Sequence, residues 1–242
     1  MTHLFENDDG GGDAGNPYRA LVIGASGAIG QAFVRALQDD PRCAHVEMVS
    51  RAHSIGFDLL DTASLAATAA ASAVNSPYHL IVDATGALTV DGVGPEKSLA
   101  AVQAEILAKS FQLNAIGPLL LLRQFAPLLA PGPSIYAKLS ARVGSITDNH
   151  KGGWYGYRAS KAALNMFLQT AAIELQRKNP ALRVVALQPG TVRSNLSKPF
   201  SAGVAHLLEP AESVAGMLVA LGGLQARQGA QFVDYQGQQI PW

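Results

Sequence analysis

Short apolar runs alternate with amphipathic stretches along almost the whole chain. Residues 20–23 (Ala-Leu-Val-Ile) form an apolar run that stops at Gly24, after which Ile29, Phe33, Val34 and Leu37 recur at helical spacing. Strand, glycine turn, helix is the predicted order. A second strand is predicted over residues 46–49 and a third just before Phe57-Asp-Leu. An Ala-rich helix follows over 62–74 and another strand over 79–83. Helices are predicted over 98–108 and 111–129, with a strand over 134–139. A long helix then runs from Tyr155 to Lys178, where Asn179-Pro180 stops it. The pattern closes with a strand over 182–187, a helix over 212–221 and a strand over 231–235. Alternating strands and helices imply an α/β fold with a doubly wound parallel sheet and right-handed crossovers. No internal repeat or linker divides residues 19–242, which are expected to form one domain.

Composition sharpens this only where it excludes something. At 242 residues and 48% hydrophobic content, the chain can bury a large core. Lys+Arg and Asp+Glu are 18 each, so no net field attracts nucleic acid or an anionic membrane, and neither is an expected partner. The single Cys43 excludes an intrachain disulfide. Without a CxxC pair or a tight His cluster no metal is expected, and cysteine usage fits a cytoplasmic location. Residues 1–18 begin with an acidic, Gly-rich stretch lacking an apolar segment, and are expected to be a mobile tail. Residues 119–129 are interrupted by Arg123, Gln124 and Pro127, too soon to span a bilayer.

The candidate chemistry follows the chain order. In Gly24-Ala-Ser-Gly27-Ala-Ile-Gly30 the glycines recur every three residues between strand and helix. They permit positive φ and let the backbone approach a pyrophosphate at the helix N-terminus, as a Rossmann-type dinucleotide fold requires. A rival reading of Ser26 as a nucleophile fails, because Ala28 breaks the GxSxG pattern. After the second strand stand Ser50 and Arg51. There an acid would bind the 2′-hydroxyl of NAD, whereas a hydroxyl and a guanidinium suit the 2′-phosphate of NADP. NADP is therefore the expected cofactor and NAD the less favoured one. Asp58 is placed to accept from the adenine amine, and Ala84-Thr-Gly86 opens a loop where ligands of such sheets gather. Asn114, among apolar neighbours, must either tie backbone together or hold a water. Ser140 and Ser145 follow a strand end, shortly before Tyr157 and Lys161. Four residues apart on a helix, Tyr157 and Lys161 leave one face together, and the ammonium is expected to draw the phenol pKa down from ~10. Residues 194–208, without clean periodicity, suit a lid over a substrate.

With the glycine turn, Asn114, the Ser/Tyr/Lys set and Pro189-Gly190 in this order, the chain resembles the short-chain dehydrogenase/reductase family over nearly everything after the tail. Ala141-Arg-Val-Gly-Ser-Ile146, residues 153–165 and the closing Gly-Gln-Gln-Ile-Pro-Trp242 are similar to the branch of sniffer-type carbonyl reductases and bacterial C-factor proteins. The resemblance implies an NADP(H)-dependent oxidoreductase acting on a small-molecule carbonyl or alcohol. It implies Tyr157 as general acid/base, Lys161 on the nicotinamide ribose, and Asn114 positioning a water linked to Lys161. Gly24, Ser26, Gly27, Ile29 and Gly30 would wrap the phosphates, Asp58 the adenine, and Thr191 and Val192, after Pro189 and Gly190, the nicotinamide end. A homodimer or homotetramer is implied through the helices around Phe111 and Lys161. Three departures stand out. Ile23 and Ala28 alter the usual TGxxxGxG turn, and Asp83-Ala-Thr-Gly86 replaces Asn-Asn-Ala-Gly. Ala141 occupies the usual catalytic serine position, leaving Ser145 (favoured slightly) or Ser140 to polarise the substrate oxygen. An NADP-binding sensor or signalling protein with little turnover is the alternative.

Overall fold

A computed structural model describes Leu4, residues 17–194 and residues 206–242. Among these residues, six strands alternate with six α-helices. In chain order they are β1 (Tyr18–Ile23), α1 (Ala28–Gln38), β2 (Cys43–Val49), α2 (Thr62–Ser72), β3 (Leu80–Asp83), α3 (Ala104–Phe111), α4 (Gly117–Phe125), β4 (Ser134–Leu139), α5 (Tyr155–Gln176), β5 (Leu182–Gln188), α6 (Pro210–Gly223) and β6 (Gln231–Asp234). The strands form one parallel sheet in the order β2-β1-β3-β4-β5-β6. Chain direction across the sheet reverses between β1 and β3, the position where open α/β sheets form a ligand crevice at their carboxyl ends.

The period-two pattern of the central strands builds two cores. In β1, Leu21 and Ile23 join the side that holds Leu65 of α2, Phe125 of α4 and Leu164 of α5. Ala20 and Val22 join the opposite side, with Phe33 of α1 and Met217 of α6. Both faces of β3 to β5 are therefore covered by helices, which is why those strands read as continuous apolar runs. Each large apolar side chain so buried contributes roughly 1.5–3 kcal/mol.

Four expectations need correction. No strand precedes Phe57: His53 N and Ser54 N both donate to Ser50 O, Gly56 adopts φ +75, and residues 51–56 coil into turns. β2 is therefore the sheet edge, and Phe57, 7% exposed, enters the core from a loop. The helix expected over 98–108 starts only at Ala104, because Leu99–Ala101 is a 3-10 turn and Val102 is extended. The helix expected over 111–129 is α3 and α4 joined by one π-helical turn, Gln112–Ile116, and closed by a 3-10 turn at Ala126–Leu128. In the tail, Leu4 is 2% exposed within the α1/α6 core, and its carbonyl accepts from Arg183 Nη2 at 3.2 Å. Tyr18 begins β1 and donates to Asp40, so the folded unit starts at least one residue before 19.

Candidate active site

The glycine turn closes over itself. Gly24 N and Ala25 N both donate to Val49 O at the end of β2, and Gly27 N donates to Gly24 O at 3.0 Å. Gly24 has φ +83, and a Cβ there would lie 2.9 Å from the Ala84 carbonyl carbon. A Cβ on Gly30 would meet Gly24 O at 2.2 Å, so both positions need glycine for this close approach. Gly27 is the N-cap of α1 and supplies no side chain to the first turn, so the amides of Ala28 and Ile29 have no side-chain cap. That donor set, at the helix end where partial positive charge collects, fits a pyrophosphate. Ser26 is exposed beside it and its carbonyl accepts from Gln31 Nε2.

Arg51 is exposed on the first turn after β2, beside the glycine turn. Ser50 is not its companion: the hydroxyl is 2% exposed, lies 2.7 Å from His53 Nδ1 and accepts from Ala52 N. Asp58 Oδ1 accepts from Leu60 N in a local turn, and its carboxylate stays at the surface.

On the far side of the crevice, α5 carries Tyr157 and Lys161 in the predicted stacking, with Lys161 Nζ 5.8 Å from the centre of the Tyr157 ring. The N-terminus of α5 is set by residues that sequence reasoning did not single out. Glu96, 5% exposed, takes the amide of Trp154 on its carbonyl and that of Gly156 on Oε2 at 3.0 Å. A carboxylate there matches the positive end of the helix. Trp154 itself sits at φ 56, with its ring edge-on to Tyr157 at 6.1 Å. The only sequence signal for Glu96 was an acid in a Pro/Gly-rich loop, which ordinarily means surface.

Lys161 is 3% exposed and donates to Leu139 O at 3.1 Å. Burial, reinforced by the nearby Lys138 ammonium and opposed by Asp83, pushes its pKa down to about 7. Burial alone pushes the Tyr157 phenol up to about 12. The expected lowering of the phenol by Lys161 is therefore absent here, because the ammonium is aimed at the β4 carbonyl and readily gives up its own proton. Asn114, fully buried in the π turn, ties backbone together. Its Oδ1 accepts from Ala87 N and its Nδ2 donates to Ala87 O, both at 2.8 Å. The preceding residue, Gly86, has φ +144, and a Cβ there would stand 3.2 Å from Asn114 Oδ1 and 3.6 Å from Lys161 Nζ.

A cavity of about 260 Å³ opens onto Tyr157. Ser140, Ala141 and Arg142 line it from the end of β4, and Gln188, Pro189, Gly190, Thr191 and Val192 from the end of β5. Ile29, Leu88, Val143, Trp154 and Ser194 complete a mostly apolar wall. Of the two candidate serines, only Ser140 reaches this cavity, and its hydroxyl donates to Asn165 Oδ1 at 2.7 Å. Ser145 does not. The 3-10 turn Arg142–Gly144 carries it to a separate cavity, where its hydroxyl accepts from Asp148 N at 3.0 Å. Gly144 packs so closely on Lys161 that a Cβ would lie 2.9 Å from the Lys161 carbonyl carbon, which holds the turn in place. The slight preference for Ser145 thus finds no support in the geometry. Of the expected lid, residues 195–205 lie outside the described residues. Among the described residues, no His/Cys/Asp/Glu group has the arrangement of a metal site, and no helix is long and apolar enough to cross a membrane.

The parallel sheet with a glycine turn after β1 is a Rossmann-type architecture. The family model for short chain dehydrogenases matches residues 18–205, and the chain belongs to that oxidoreductase family. Among curated proteins, the chain is 36% identical over 137 residues to the "C-signal" protein of Myxococcus xanthus, covering 56% of this chain and 78% of the relative. It is 27% identical over 236 residues to the 1-hydroxy-2-glutathionyl-2-methyl-3-butene dehydrogenase of Rhodococcus sp. (strain AD45), covering 92% and 98% of the two chains. Among solved structures, the carbonyl reductase Sniffer of D. melanogaster superposes with TM-score 0.79 at 22% identity, over 94% of this chain and all of its own. The NADPH-bound carbonyl reductase from chicken fatty liver gives TM-score 0.79 at 24% identity, over 94% and 95%. At those identities the structures bear on the fold.

Proposed function

We propose that this protein is an NADP(H)-dependent carbonyl reductase or alcohol dehydrogenase for a small to medium apolar substrate. The observation that carries this is the Tyr157/Lys161 stack on α5, with Tyr157 opening onto an apolar cavity shared with the ends of β4 and β5. Bound NADPH would supply hydride to the carbonyl carbon. Gly24, Gly27, Ile29 and Gly30 would hold its phosphates, Arg51 its 2′-phosphate and Asp58 its adenine, while Gly86, Asn114, Lys161 and the segment Pro189, Gly190, Thr191 and Val192 would line the nicotinamide end. The NADPH bound to the chicken carbonyl reductase of this fold supports that choice. Tyr157 is the phenol that would give its proton to a carbonyl oxygen; pushed up to about 12 by burial it is protonated at neutral pH but a poor acid, so this role requires its pKa to fall when cofactor and substrate bind. Ser140 is the cavity hydroxyl that would stabilise that oxygen as charge develops, its hydrogen turning from Asn165 Oδ1 to the substrate. Exposed Ile116, Met166 and Ile173, beside or on the long helices, support a homo-oligomer.

A second reading, an NADP-binding signalling protein with little turnover, is favoured by one feature. Ala141 lines the cavity where the family's serine is usual, and the relative over 137 residues bears the name C-signal. Fluorescence titration with NADPH and NADH in parallel, followed by a panel of carbonyls, separates the readings. Tight NADPH binding with turnover that Tyr157→Phe abolishes supports the reductase. Binding without turnover favours the signalling protein, and no binding of either nucleotide sinks both.

A further inference from the structure

Lys138 stands in the middle of the sheet, on β4, with none of its side chain exposed. Its direct cross-strand partner in the register is Asp83 of β3, equally buried. Lys138 Nζ shares its three hydrogens among four acceptors, Asp83 Oδ1 at 3.0 Å, Asp83 O at 3.3 Å, Thr85 O at 2.6 Å and Thr85 Oγ1 at 3.1 Å. Asp83 Oδ1 also accepts from Thr85 N at 2.9 Å and Thr85 Oγ1 at 2.6 Å, and Asp83 Oδ2 from Tyr136 OH at 3.4 Å. A valine pair would fill this site without removing two charges from water, so stability alone gives little reason for an ion pair here. Its neighbours give another. The backbone pinned by Lys138 continues through Gly86, where a Cβ would stand 3.6 Å from Lys161 Nζ, to Ala87, where Asn114 holds it.

We infer that Lys138 and Asp83 are positioning residues for the Tyr157/Lys161 pair: they fix the Thr85–Ala87 backbone beside Lys161 and set the field at its ammonium. The inference rests on the catalytic reading above only for its consequence in turnover, not for its structural content. The titratable groups facing Lys161 are Tyr157 from α5, Lys138 from β4 and Asp83 from β3. Lys138 opposes the Lys161 proton and Asp83 favours it, with Lys138 the stronger of the two. Removing one partner therefore biases Lys161 in a direction set by the other.

The test uses the full chain without cofactor, labelled with 13C-lysine. The Cε resonance of Lys161, assigned by its loss in Lys161→Met, is followed with pH. Lys138→Met should raise the Lys161 midpoint, and Asp83→Asn should lower it, each by about one pH unit. Midpoints that stay put, or move in the same direction, would overturn the inference. Should a single variant fail to fold, the double variant Asp83→Asn/Lys138→Met removes both charges together. There the midpoint should rise by a smaller amount, because the stronger partner is gone, and an unchanged midpoint overturns the inference. A failure of the catalytic reading shows up elsewhere, as turnover retained by Tyr157→Phe, and leaves this titration intact.

Discussion

Replacing Lys161 by methionine should make the protein more stable at pH ~6 while destroying its activity, and the gain should shrink as pH rises. The buried ammonium has its pKa lowered from 10.5 to about 7. A group whose folded pKa is depressed binds more protons in the unfolded chain between the two values, so stability rises with pH across that window and is lost as pH falls toward 7. At about 1.4 kcal/mol per tenfold change in proton affinity, holding Lys161 charged in the native state at pH ~6 costs roughly 4–5 kcal/mol. At pH ~9 the native lysine is already neutral and the cost is about 2 kcal/mol. The methionine variant forfeits the bond to Leu139 O, worth about 1–3 kcal/mol with the carbonyl left unpaired, but this loss does not vary with pH. The advantage of Lys161→Met over wild type should therefore shrink by roughly 2–3 kcal/mol between pH ~6 and pH ~9. Urea unfolding at both pH values, with the denaturant slope checked for constancy, measures it. A stability difference independent of pH would refute the argument, because it would mean that Lys161 titrates alike in the folded and unfolded chain.

The remaining predictions concern individual contacts. Ser140→Ala should lower kcat about a hundredfold or more if its hydroxyl is the oxyanion donor, whereas Ser145→Ala should leave kcat within a few-fold; steady-state kinetics with a model ketone decides, and the reverse order would reinstate Ser145. Arg51→Ala should weaken NADPH far more than NADH in fluorescence titrations, and equal losses would show that Arg51 reads no phosphate. Leu4→Ala should destabilise the chain by about 2 kcal/mol in chemical denaturation, because the side chain is buried between α1 and α6; an unchanged midpoint would show that the N-terminal anchor contributes nothing.

Most of the architecture could be read from periodicity, since β1, β3, β4 and β5 are apolar enough to announce burial on both faces. The Tyr157/Lys161 stack followed from spacing on one helix, a local matter. What escaped was set by contacts distant in sequence. The supposed strand before Phe57 gave way to turns built on Ser50 and Gly56. Glu96 reaches α5 across about 60 residues, and Leu4 meets Arg183 across 179. The choice between Ser140 and Ser145 turned on three residues in a 3-10 turn, where strand alternation no longer says which way a side chain points. Lys138 and Asp83 did carry a signal: two opposite charges in otherwise apolar strands, each needing a partner.

Because the sheet stops at β2, the stretch that bears Arg51 owes the sheet no ladder of hydrogen bonds. Residues 51–56 are held by a few turns anchored on Ser50 and by the Phe57 plug. Exchanging them should therefore leave the strand register and both cores untouched, as surface changes away from packing usually cost within about 0.5 kcal/mol. In a protein with a further strand at this edge the same exchange would have to preserve a pairing partner. Here the segment should behave as a replaceable cassette, so that, with Arg51 reading the 2′-phosphate as proposed, grafting a short loop should change nucleotide preference without rebuilding the scaffold beneath it.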